Sequence, residues 1–226
     1  MMARTSDYKS AFDIIGPIMI GPSSSHTAGA VRIGLASRHI LGEEPKKVSV
    51  SYYESFAETH LGHGTDLALI AGILNFPTED PRVKDSIDIA KEKGIQIEFI
   101  EEKGPSKGEH PNTALVRLDS EHKHIEVCGN SIGGGTIKLR SIHVNGACAL
   151  LNHTLPILVL YGEQSVGEFN RCINDLAESG LQINEEIKSQ KNNKYIVALH
   201  LHKPIKPALL QNIKEKYPQI EFSNLV

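Results

Sequence analysis

Cysteine is scarce in this chain, with only three among 226 residues. Cys128, Cys148 and Cys172 are far apart, form no C-x-x-C pair and have no histidine at zinc-finger spacing. The sequence therefore offers no metal centre of its own and reads as carrying reduced thiols, as in a cytoplasmic protein. Long apolar runs are missing too: none approaches the ~18 residues that a membrane-spanning helix needs. The first fifteen residues carry Arg4, Asp7, Lys9 and Asp13, unlike a signal peptide. There is no excess of positive charge, since 24 Lys and Arg face 27 Asp and Glu for a net charge of -3. Without a clustered basic stripe, nucleic acid is not the expected partner. Also absent are the phosphate loop G-x-x-x-x-G-K-[ST] and a G-x-G-x-x-G between strand and helix. There is no G-x-S-x-G nucleophile elbow either.

What is present is concentrated in a few polar stretches. The densest is Gly21-Pro22-Ser23-Ser24-Ser25-His26-Thr27-Ala28-Gly29. Gly-Pro closes the apolar run 14–20, which puts the serines in a loop. Val31, Leu35 and Ile40 then recur at helical spacing, so a helix should begin near Ser25 to Thr27 with one hydroxyl as N-cap. The unpaired N–H groups at such an end suit a carboxylate or phosphate. A histidine there can move a proton near neutral pH. Four hydroxyls exceed what a cap requires, so a ligand-facing loop is the favoured reading.

A chain of this length accommodates one large or two small domains. Lys47–Tyr53 reads as a strand. Glu58-Thr59-His60-Leu61-Gly62-His63-Gly64-Thr65-Asp66 then leads into an apolar helix that Thr65 or Asp66 should cap. His60 and His63 without a third ligand make a weak metal site. Residues 86–93 read as a helix and 95–100 as a strand. His110-Pro111-Asn112-Thr113 leads into a strand over 114–118, which should pair as a hairpin with 125–128. In Ser131-Ile132-Gly133-Gly134-Gly135-Thr136 the glycines permit converging backbone amides or tight packing, before another strand over 136–144. A linker is expected near 149–154. After it, strands over 157–161, 181–187, 195–201 and 219–222 alternate with helices over 166–179 and 207–216. This is βαββαβ, the ferredoxin-like order, so the fold class is α/β in the broad α+β sense.

Residues 12–29 resemble the opening of the beta chain of the iron–sulfur-dependent L-serine dehydratases. Gly62-His63-Gly64-Thr65-Asp66, His110-Pro111-Asn112-Thr113 and Ser131-Ile132-Gly133-Gly134-Gly135 are similar to that family in the same order. The resemblance implies an allosteric-substrate-binding-like domain over 1–150 and an ACT-like domain over 155–226. It also implies a separate alpha chain carrying a [4Fe-4S] cluster on its own cysteines, a hetero-oligomer, and a monovalent cation as a further cofactor. The stretch Gln164-Ser165-Val166-Gly167 keeps only the glycine of the Asp-x-Pro-Gly loop typical of ligand-binding ACT domains. A packing or dimerising role is therefore expected of the second domain, rather than amino-acid binding.

The reaction implied is β-elimination from L-serine, giving an enamine that hydrolyses to pyruvate and ammonia. The α-proton is weakly acidic, so a positioned base is needed, while an open iron site acts as Lewis acid on the leaving hydroxyl. On this reading Ser23, Ser24, Ser25 and Thr27 hold the substrate carboxylate, and His26 takes part in proton transfer. His63, Asn112, Gly133 and Gly134 are further candidates for substrate or interface contacts. An alternative keeps all chemistry in the alpha chain and makes this chain a regulatory, serine-binding subunit. An independent hydrolase using Ser25 and His26 is disfavoured, because adjacent residues seldom reach each other as nucleophile and base.

Overall fold

The computed structural model describes residues 24–226. Ser23, with the Gly-Pro and apolar run before it, lies outside the described residues, as do the side chains of Ser24 and Ser25. The described chain opens with a π-helical turn, Ser24–Ala28, that runs directly into α1 (Gly29–Leu41). The expected hydroxyl N-cap is not made: Ala28 precedes α1 in helical geometry and no side chain caps it. The wide turn carries the chain directly into the helix.

Two sheets follow. The first is six-stranded and comprises β1 (Lys47–Tyr53), β2 (Gln96–Glu102), β3 (Thr113–Asp119), β4 (His124–Gly133), β5 (Thr136–Val144) and β6 (Ala147–Thr154). Its order is β2-β1-β3-β4-β5-β6. Only β1 and β2 pair in parallel, their crossover supplied by α2 (Glu54–Thr59), α3 (Thr65–Ile73) and α4 (Ser86–Glu92). Helix α2 was not anticipated from the sequence. The stretch expected as a linker, 149–154, is strand β6, paired with β5. The missed signal is Asn145-Gly146, both at positive φ (46° and 92°), the dipeptide that closes a tight hairpin.

The second sheet contains β7 (Ile157–Gly162), β8 (Ile183–Lys191), β9 (Lys194–Leu201) and β10 (Glu221–Leu225), in the order β10-β7-β9-β8. With α5 (Val166–Glu178) and α6 (Pro207–Lys216) it forms the expected βαββαβ unit. Period two divides its strands between two cores. Leu158, Leu160, Val197 and Leu199 face Phe169, Cys172 and Leu176 of α5. Ile157, Val159, Tyr161, Ile196 and Ala198 instead join the core of the first sheet. Each fully buried aliphatic side chain contributes about 1.5–3 kcal/mol, so the shared core binds the two sheets firmly.

Helix α1 lies on the first sheet and against α3. Val31 and Ile40 are buried as their spacing predicts. The helices meet backbone to backbone: a Cβ on Gly34 would fall 2.3 Å from the Leu69 carbonyl oxygen, and one on Gly72 would fall 2.1 Å from that of Val31. Among the described residues, no helix is long and apolar enough to cross a membrane.

Candidate functional site

The N-terminal end of α1 is where the polar sequence motifs converge. His26 sits in the π turn, nearly buried at 9% exposure. Its ring lies 4.8 Å from that of His63, edge to face, and 5.2 Å from that of Phe56 on α2. Burial lowers the His26 pKa below its ordinary 6.5, and the charge of His63 lowers it further. The neutral imidazole, the form that accepts a proton, is thereby favoured near pH 7. Thr27 is also buried, and its hydroxyl has no hydrogen-bond partner among the described residues. The Thr65 hydroxyl, at the start of α3, is in the same condition. Buried hydroxyls without partners are uncommon and costly, and they collect at sites shaped for something other than stability.

The turn between α2 and α3 carries His63 to His26. Neither Thr65 nor Asp66 caps α3; Gly64, at φ 67°, precedes it and no side chain accepts there. Asp66 is engaged elsewhere, its carboxylate 2.8 Å from Nδ1 of His60. Nε2 of His60 lies 3.1 Å from Glu101 on β2. His60 is buried, stacked on Tyr52 with ring centroids 4.7 Å apart. Burial, reinforced by Asp66, raises the Tyr52 pKa well above 10 and keeps that phenol neutral. Both nitrogens of His60 are thus committed to carboxylates, which removes it from the metal role considered for it with His63. The sequence held the pieces of this His60–Asp66–Glu101 brace, but Glu101 lies far along the chain and nothing local links it to His60.

The other two motifs close on the same end of α1. A Cβ on Gly29 would stand 1.9 Å from Oγ of Ser131, so only glycine lets α1 rest on β4 there. The Ser131 amide donates to the Asn112 carbonyl at 2.9 Å, fixing Asn112 beside β4. Below it, Thr113 is within 2.8 Å of Oδ1 of Asn130, and Nδ2 of Asn130 donates to the Gly108 carbonyl at 2.8 Å. Gly133, Gly134 and Gly135 all have positive φ (105°, 59° and 78°). Gly133 pairs with Thr136, so Gly134 and Gly135 form the two-residue turn of the β4–β5 hairpin. Of the residues singled out in the sequence, His26 and His63 come together, with Thr27 next to His26 in the π turn, while Asn112 and the glycine turn are joined to them through Ser131 and Gly29. Ser23 and the side chains of Ser24 and Ser25 lie outside the described residues.

The cysteines stand apart from this site. Cys128 and Cys172 are buried, and burial pushes their thiols up to about 11 and about 12. Such thiols are poor metal ligands, and no group of three metal-ligating side chains occurs among the described residues.

The profile of the family described as "Serine dehydratase beta chain" matches residues 10–141, more than half the chain. The chain belongs to the serine dehydratase beta chain family. It is 46% identical over 177 residues to the probable L-serine dehydratase beta chain of Bacillus subtilis, covering 78% of each protein. It is 36% identical over 218 residues to the L-serine dehydratase beta chain of Peptoniphilus asaccharolyticus, covering 96% of this chain and 95% of the relative. An 87-residue stretch is 40% identical to 17% of the L-serine dehydratase 2 of Escherichia coli. The matched profile spans His26, His63, Asn112, Ser131 and the glycine turn, all of the site that this serine dehydratase beta-chain fold gathers at the head of α1. The βαββαβ unit lies beyond the profile, although the Peptoniphilus relative aligns over nearly the whole chain.

Proposed function

We propose that this chain is the beta subunit of an iron–sulfur L-serine dehydratase and lends the Gly21–Thr27 loop to a site shared with an alpha chain. The reaction is β-elimination of water from L-serine, followed by hydrolysis to pyruvate and ammonia. The observation that carries this reading is the convergence at the head of α1: a nearly buried, neutral-leaning His26 against His63, on a turn whose companion motifs pack beside it. The E. coli relative supports it, since a stretch similar to this chain occurs there inside a longer L-serine dehydratase.

The cluster does not fit this chain. Its cysteines are scattered and, where buried, protonated, so the [4Fe-4S] group belongs to the partner. What this chain supplies is positioning and proton handling. Ser23, Ser24, Ser25 and Thr27 hold the substrate carboxylate, aided by the partial positive charge at the head of the helix. His26 accepts the α-proton on its imidazole, a role its lowered pKa suits at neutral pH. Phe56 excludes water from one side of the ring. Asn112 and the Gly133–Gly134 turn shape the rim toward substrate or partner. The βαββαβ unit is ACT-like and serves packing or dimerisation. In it Ser165 accepts from the Glu168 amide to cap α5, where a ligand-binding ACT domain carries its Asp-x-Pro-Gly loop.

One observation favours a second reading. In this chain alone the His26 ring is only 9% exposed, as expected of a pocket closed within a regulatory subunit. Pyruvate release from L-serine under anaerobic conditions separates the two, with this chain, the iron-loaded alpha chain, and their mixture assayed side by side. Activity in the mixture alone is the expected result. Full activity of the alpha chain alone, merely retuned by this one, establishes the regulatory reading instead.

A further inference from the structure

At the opposite end of α1 from His26 lies a cleft of about 430 Å³, between the last turn of α1, helix α6 and strand β10. Arg38, His39, Lys214, Ser223 and Asn224 line it. Its walls come from both parts of the fold: Arg38 and His39 belong to the helix covering the first sheet, and the others to the βαββαβ unit. The two are stitched at its edge, where the Ser223 hydroxyl donates to the His39 carbonyl at 2.9 Å.

The charge in this cleft is unbalanced. The half-buried Arg38 makes no ion pair among the described residues; burial lowers its pKa, and Glu44 and Glu43 offset this only in part. Those two carboxylates are occupied elsewhere: Glu44 holds Lys93 at 2.6 Å, and Glu43 accepts from Ser120. Lys214 is likewise without an ion pair among the described residues. In a chain of net charge -3, two unpaired cations on one cleft form a local anion trap. A guanidinium is shaped to take a carboxylate with two parallel hydrogen bonds, while a lysine adds a movable point charge. Asn75 is engaged with His39 at 3.2 Å, which leaves Asn224, whose Oδ1 is buried without a hydrogen-bond partner. Asn224 itself lines the cleft, and its terminal amide torsion is soft. That oxygen requires a donor, which a bare carboxylate lacks.

We infer that this cleft binds a small carboxylate carrying a neighbouring hydroxyl or ammonium, with its carboxylate on Arg38 and Lys214 and its donor on Asn224. A ligand there ties α6 and β10 to α1, the helix whose other end, about 20 Å away at 1.5 Å per residue, carries His26. The site is independent of the reaction assigned to that other end, and binding to the full chain by itself is what tests it.

L-malate is the probe, with succinate, which lacks the hydroxyl, and inorganic phosphate as companions, each titrated calorimetrically into the full chain. Saturable L-malate binding is expected, weakened about tenfold or more by Arg38→Gln, the loss of one charged, bidentate contact. Lys214→Gln, on an exposed side chain that cannot disturb the core, is expected to weaken it about threefold. Succinate should bind at least about fivefold more weakly than L-malate, the worth of one hydrogen bond. The inference is overturned if L-malate shows no saturable binding, if neither substitution changes its affinity, if succinate binds equally well, or if phosphate binds more tightly.

Discussion

The two sheets treat polar side chains in opposite ways. Every buried polar or charged residue among the described ones, from His26 and Thr27 through His60 and Asp66 to Asn130 and Ser131, lies in the first sheet or its helices. The buried residues of the βαββαβ unit are apolar apart from Tyr161, Tyr195 and Tyr217, with Phe169, Leu176, Leu160 and Leu199 at its centre. Burying a polar group costs free energy unless it is hydrogen-bonded, so a fold that gathers many at the head of one helix is maintaining more than its own stability. The second unit is organised around an apolar core, whereas the first collects its buried polar groups beside the head of α1.

Four substitutions test that division, beginning with the largest expected effect. Leu160→Ala, in the fully buried strand β7, should lower the free energy of unfolding by about 2–5 kcal/mol. Denaturant melts check this. The folded variant, assayed with its alpha chain, should keep its turnover; a large fall would show that the second unit does more than pack. Gly72→Ala forces a methyl group against the Val31 carbonyl and should cost about 3 kcal/mol, the upper end of ordinary overpacking. Because it separates α1 from α3, it should also reduce turnover in the mixed-chain assay, which a purely local strain would leave alone.

His26→Ala should cut kcat about 100-fold while leaving the melting midpoint and alpha-chain assembly intact. Wild-type turnover in an assembled complex removes the proton-transfer role. The smallest effect is the most diagnostic. Burial and His63 both lower the His26 pKa, so the neutral base persists as pH falls and the acid limb of kcat/KM should lie below 6.5. His63→Gln abolishes the electrostatic part and leaves burial, so the limb should move upward toward 6.5 without reaching it. A limb that does not move, or moves to lower pH, contradicts the pairing of these two rings.

Much of this was legible in the chain. The helix α5 face of Phe169, Cys172, Ile173 and Leu176, and the βαββαβ order itself, follow from period and spacing, because local hydrophobic pattern governs which side of an element is buried. The four polar motifs stood out by composition alone. Turn chemistry was read less well: Asn145-Gly146 signalled a hairpin, yet 149–154 reads as a linker because its mixed polarity masks an edge strand of the first sheet. Neither α1 nor α3 carries the side-chain cap that its sequence suggests. In each case a side chain with the chemistry to cap was available, and a π turn or a left-handed glycine made the entry instead.

What the sequence determined by itself is therefore the identity of the reactive groups and the alternation that buries each strand and helix, since these depend on neighbours a few positions apart. Only the tertiary structure decided which of those groups meet. Gly29 rests on Ser131, His63 stands against His26, and His60, at the end of α2, is braced by Glu101 of strand β2. These are contacts between segments brought together by sheet pairing and by the close glycine approach of α1 and α3. Such long-range contacts are fixed by packing of the whole core, which no local stretch of sequence encodes.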